Sequence, residues 1–134
     1  MSTSTQSSFP VKQKTVCLNL KGYKTDLIIS SYDDHFLVIA TQLGTMGTIL
    51  HARKEEGVST EPTFHVSIMF GKRDEPMLSA CARQLIEHIS LSIFSFFLSS
   101  RGSSKPLVLS LGLKDHSIET VKGLVSAVTQ NIPW

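Results

Sequence analysis

Apolar and polar positions alternate in residues 14–20 and 63–70 and fall into helical spacing along much of the C-terminal half. The densest apolar stretch, residues 36–51 (FLVIATQLGTMGTILH), organises the rest. Its first part is apolar at both parities: Phe36, Val38 and Ala40 on one side, Leu37, Ile39 and Leu43 on the other. A strand with two apolar faces needs cover on both. The run breaks at Gly44-Thr45-Met46-Gly47 and resumes at Thr48-Ile49-Leu50-His51. Two β-type runs around a short connection holding two glycines predict a hairpin, because glycine reaches positive φ without a Cβ clash.

The flanking pattern supplies further strands. In residues 14–20, Val16, Leu18 and Leu20 share a side, and Lys21-Gly22-Tyr23-Lys24 makes a turn. Residues 25–31 form a second strand, ended by Tyr32-Asp33-Asp34-His35, whose aspartates tolerate turn geometry. Residues 52–62 (ARKEEGVSTEP) are charged, lack an apolar period and predict an exposed, mobile loop. In residues 63–70, Phe64, Val66, Ile68 and Phe70 share a face.

Helical spacing begins at Asp74-Glu75-Pro76. The acids accept orphan backbone N–H groups, and proline suits the first helical position. Leu78, Ala82, Leu85, Ile86, Ile89 and Ile93 then predict a helix over residues 76–98, with the serine alternation after Ser90 favouring an earlier end. Residues 99–105 form a loop, and residues 106–113 (PLVLSLGL) a strand with leucines on one face and small Val108, Ser110 and Gly112 on the other. Asp115 or Ser117 caps a second helix carrying Ile118, Val121, Leu124, Val125, Val128 and Ile132.

The expected order is β-β-β-β-β-α-β-α: an α+β domain with a six-stranded, mostly antiparallel sheet and two helices on one face. Residues 1–11 are expected to be a disordered Ser/Thr-rich tail, and residues 12–134 a single domain. No third helix exists for the second sheet face. That face would carry Cys17, Ile28 or Ile29, one parity of residues 36–43, Met69, Val108 and Ser110. A continuous surface of this kind is awkward in water. The expectation is burial in a dimer, sheet against sheet.

Composition narrows the class. The chain is 41% hydrophobic and 18% charged, with formal net charge +2, too little basic excess for the dense patch of a nucleic-acid module. Lys12, Lys14, Lys21 and Lys24 cluster near the first two strands, where lysine guards sheet edges, and no exposed aromatics there would stack bases. Two cysteines, Cys17 and Cys81, cannot make a disulfide-rich framework, and both are expected to be buried and structural. The N-terminal stretch lacks a signal-peptide core, there is no N-x-S/T sequon, and the apolar patch at residues 86–98 is too short to span a bilayer. A cytoplasmic location is expected, the nucleus being compatible, with no membrane or nucleic-acid partner.

Catalytic and metal-binding patterns are missing. The five histidines, His35, His51, His65, His88 and His116, show no ligand spacing, although His51 and His65 would be neighbours if their strands pair. Cys81 and His88 lie about 10 Å apart along one helix, too far for a nucleophile and its base. Asp33-Asp34, Glu55-Glu56 and Asp74-Glu75 fall in loops or at a helix start. Gly44-x-x-Gly47 lacks the Lys-Ser/Thr and the helix of a phosphate loop. No enzyme, cofactor or metal is expected, and a binding role remains.

The run Thr41-Gln42-Leu43-Gly44-Thr45-Met46-Gly47-Thr48 resembles the TQxGxMGT signature of the proteasome assembly chaperone 3 family. Lys12-Gln13-Lys14-Thr15, the helix entry Gly71-Lys72-Arg73-Asp74-Glu75-Pro76, and Lys114-Asp115-His116-Ser117 with Leu124 and Trp134 resemble further family features in the same order. By position, Gly44, Met46, Gly47 and Thr48 match the signature, and Asp74 and Pro76 the helix entry. The resemblance implies a non-catalytic protein that pairs with proteasome assembly chaperone 4, or with itself when isolated. It would escort α-subunits of the 20S core particle into a ring. The hairpin tip (Thr45, Met46) and the charged run Arg53, Lys54, Glu55 and Glu56 are the expected partner-binding residues. The order of elements also admits a small dimerising sheet–helix scaffold or adaptor in trafficking or signalling, since fold does not fix function.

Overall fold

The protein is described from a computed structural model, which covers residues 12–42, 44, 47–55, 63–71, 75–96 and 105–133; for residues 55 and 90–96 the account is of backbone alone. The elements are β1 (Lys12–Leu20), β2 (Tyr23–Ser31), β3 (Phe36–Thr41), β4 (Thr48–Glu55), β5 (Thr63–Phe70), α1 (Pro76–Phe96), β6 (Leu107–Gly112) and α2 (Ile118–Gln130), in the order expected. The strands make one sheet in the order β1-β2-β3-β6-β4-β5.

That order corrects two expectations. The hairpin expected from residues 36–51 does not form, because β6 lies between β3 and β4 and bonds to both. The sheet is mixed, not mostly antiparallel, because β6 runs parallel to β3 and antiparallel to β4. The physical reason is apolar demand. Leu107, Leu109 and Leu111 are at most 2% exposed, and only a central slot gives a strand neighbours on both edges while helices cover its face. The same insertion makes β3 a central strand: Phe36, Val38 and Ala40 are buried towards the helices, whereas Leu37 and Ile39 on the other face are half-buried. Lys105 fixes the entry of β6. Its Nζ donates to Tyr32 O at 2.7 Å and to Ser31 Oγ at 3.3 Å, and lies 4.4 Å from the Phe36 ring centroid.

Residues 52–55, expected in a loop, continue β4. Ala52 stands opposite both Leu107 and Val66 and is 1% exposed. Charged residues at 53–55 hid a strand whose two faces differ: Arg53 is exposed, whereas Lys54 is half-buried opposite Phe64. Residues 56–62, the rest of that expected loop, lie outside the described residues, as do residues 1–11, 97–104 and Trp134.

Both helices pack on one face of the sheet. Leu78, Cys81, Ala82, Leu85, Ile86 and Ile89 of α1 join Val121, Leu124, Val125 and Val128 of α2 in a single core with Leu27, Ile29, Phe36, Val38, Leu50 and Leu109. Burial pushes the Cys81 thiol up to about 12. Cys17 is exposed, against expectation, because the outward parity of edge strand β1 has no cover. The helix entries follow local chemistry. Pro76 opens α1, and Ser117 caps α2 by accepting from Thr120 N–H. Asp115 in turn accepts from the hydroxyls of Ser117, at 2.6 Å, and Thr120.

Candidate functional site

The face opposite the helices is the one that α1 and α2 leave uncovered. The register puts Ile28, Ile39, Ser110 and Ile49 side by side across β2, β3, β6 and β4. One step along the strands, Leu37 pairs with Val108, and Val108 with His51. Ile28, Leu37, Ile39, Val108 and Ile49 are half-buried although, among the described residues, neither helix covers them. The margins are polar. Gln13, Thr15, Cys17 and Asn19 of β1 share this face with Lys24 and Asp26 of β2 at one edge. Arg53 and His65 stand opposite each other at the other.

A register shift between Ile49 and Leu50 reshapes the β5 edge. Leu50 pairs with Ile68 but Ile49 pairs with Phe70, so β5 carries one extra residue, and Met69 and Phe70 together oppose Ile49. Alternation had assigned Phe70 to the face of Phe64, Val66 and Ile68. The bulge instead brings it to the face of Ile49, and it is 67% exposed beside Met69 at 58%. The available signal was Gly71, the next residue, at φ 107°.

The signature run serves the fold. The Gln42 side chain accepts from Lys114 N–H at 2.7 Å and Asp115 N–H at 3.3 Å, and donates to Thr25 Oγ1 at 3.1 Å. Gln42 N–H donates to Gly112 O at 2.7 Å, and Gly44 N–H donates to Thr41 Oγ1 at 2.8 Å. Gly47 has φ 67°, and a Cβ there would lie 2.3 Å from Leu111 O and 2.6 Å from Gly112 Cα. The chain therefore crosses the end of β6 in backbone contact, and the glycine answers a close approach as well as a turn. Thr48 is buried.

Three of the expected partner-binding residues, Arg53, Lys54 and Glu55, are described, all at the end of β4. Arg53 lies on the open face and Lys54 on the helix side, and Glu55 ends β4 opposite Thr63. Thr45, Met46, Glu56 and Asp74 lie outside the described residues. Near the helix entry, His116 Nδ1 sits 3.4 Å from Glu75 Oε2. His51 and His65 are diagonal, with His51 opposite Ser67. Burial, then the charges of Arg53 and His65, hold His51 below the usual histidine range. Among the described residues no three His, Cys, Asp or Glu side chains group as metal ligands, and no helix is long and apolar enough to cross a membrane.

Fold and surface together define a small α+β domain with two described helices on one face of a six-stranded sheet. The same fold occurs in a solved structure described as a novel chaperone complex for yeast 20S proteasome assembly. The two superpose with TM-score 0.68 at 11% identity, over 91% of this chain and 98% of that one. The model of the family "Proteasome assembly chaperone 3" matches residues 38–131. Proteins of that name from Bos taurus and Homo sapiens are 31% and 29% identical over 92% of this chain and 93% of theirs. The Nematostella vectensis protein of that name is 24% identical over 91% of this chain and 89% of its own. The chain belongs to the proteasome assembly chaperone 3 family.

Proposed function

We propose that this protein is a non-catalytic chaperone of 20S core-particle assembly. It pairs through its open sheet face with proteasome assembly chaperone 4, and the pair holds α-subunits while the α-ring forms, in the cytoplasm or nucleus. The observation that carries this reading is the uncovered apolar band of Ile28, Ile39 and Ile49 with Leu37 and Val108, in a chain of this family. A soluble domain gains by covering such a surface, and a second sheet is the flat counterpart that fits it.

Co-expression with chaperone 4 and the α-subunits, followed by size exclusion and mass spectrometry, tests the proposal. The expected species is a one-to-one chaperone pair that retains α-subunits and lacks mature β-subunits. A chain that stays monomeric beside chaperone 4, or that instead co-purifies with vesicle or kinase-scaffold proteins, overturns it.

A further inference from the structure

We infer that the partner interface is anchored at one corner of the open face, where Met69 and Phe70 on the β5 bulge enter an apolar recess in the sheet of the chaperone partner. The inference rests on the preceding reading that a partner sheet covers this face.

Three observations carry it. First, exposure is uneven across the band: Ile28, Leu37, Ile39, Val108 and Ile49 are half-buried by their neighbours, whereas Met69 and Phe70 are 58% and 67% exposed. Two large apolar side chains standing out together are the kind of feature that dominates binding energy when a partner encloses it. Second, the corner is built. The extra residue turns Phe70 out of the helix-side parity. The next residue, Gly71, has φ 107° and lies so close to Thr48 that a Cβ would be 2.8 Å from Thr48 Cα. Third, Phe70 prolongs the row Ile28–Ile39–Ser110–Ile49 to the sheet edge, so anchor and band form one continuous surface. The opposite corner, with Cys17, Asn19, Lys24 and Asp26, offers no counterpart.

The area fits a second sheet as occupant. Six strands about 4.8 Å apart and six to nine residues long present roughly 600–850 Å², close to the ~800 Å² per partner of a stable complex. Ser110 and Gly112 form a low track between Ile39 and Ile49, so the partner strand over β6 can carry larger side chains while the one over β5 recedes.

The test is titration of the purified chain against chaperone 4 by calorimetry, with urea midpoints recorded for every variant. Phe70→Ser and Met69→Ser are each expected to weaken association more than tenfold with unchanged midpoints, and Cys17→Ser less than twofold. If both bulge variants bind normally while Ile39→Gln does not, the anchor is refuted and the covered face stands. If Ile39→Gln also binds normally, the partner does not use this face and both claims fall. A large drop in the Phe70→Ser midpoint would show that the ring packs within the fold, and refutes the anchor. Loss of self-association in Phe70→Ser with intact chaperone 4 binding assigns the corner to a second copy of this chain, and refutes the stated occupant.

Discussion

Two glycines of the signature run have similar backbone angles and different surroundings, which makes them a controlled comparison. At Gly44, with φ 78°, an added methyl would have nothing within 4 Å. At Gly47, with φ 67°, the same methyl would lie 2.3 Å from Leu111 O, 2.6 Å from Gly112 Cα and 2.9 Å from Leu111 C. An L-residue in the left-handed region costs about 1–2 kcal/mol, and that is the whole expected effect of Gly44→Ala. Gly47→Ala carries the same cost plus a collision with backbone atoms of β6, a central strand that cannot move without disturbing its bonds to β3 and β4. We expect a loss of roughly 3–5 kcal/mol, in the range reserved for overpacking and backbone strain at a special position. With a urea slope of about 2 kcal/mol per molar, the Gly47→Ala midpoint falls by roughly 1.5–2.5 M and that of Gly44→Ala by less than about 1 M. Equilibrium urea unfolding followed by far-ultraviolet circular dichroism is the assay. Equal midpoints for the two variants would refute the close-approach argument and leave only turn geometry. A normal Gly47→Ala midpoint with lost chaperone 4 binding would place Gly47 in the interface instead.

Gln42→Leu removes the acceptor for two backbone N–H groups and is expected to cost about 1–3 kcal/mol, while Gln42→Glu keeps the acceptor and costs less; amide exchange at Lys114 and Asp115 reports the difference. A thiol reagent should label Cys17 in the native chain and Cys81 only on unfolding, since Cys81 is fully buried with its thiol pushed up to about 12; rapid native labelling of both would refute the packing of α1. The hydroxyls of Ser117 and Thr120 hold Asp115 below the usual carboxylate range. A folded-state pKa below the unfolded value stabilises at pH above about 4 and is lost as pH falls through the folded value, so urea midpoints should drop on acidification and the drop should be shallower in Asp115→Asn.

Element order was legible because each strand and helix carries its own period. Strand order was not, and β6 shows why. Nothing in residues 36–51 distinguishes a hairpin from two strands held apart for a third, because the inserted strand lies more than fifty residues further along the chain. The charged end of β4 was hidden for a related reason. Near a sheet margin, charged Arg53 and Lys54 take opposite faces, the first exposed and the second half-buried, so a paired strand reads as a polar loop. Phe70 was misassigned because alternation assumes one residue per rung, and a bulge breaks that count within a single step.

The open face and the signature run therefore answer to different demands. Of the run that carries the family resemblance, Thr41, Gln42, Gly44, Gly47 and Thr48 are engaged by the chain itself, in hydrogen bonds, backbone contact or burial. Changing these residues should alter how β6 sits between β3 and β4. Ile28, Leu37, Ile39, Val108, Ile49, Met69 and Phe70 contribute their outward sides to nothing in the described chain's helical core. A chain could keep the run intact and still change its partner by altering a few of these positions. On the proposed pairing, a chimaera that keeps this chain's core and signature while taking a relative's outward-facing residues of β2–β6 should bind that relative's partner.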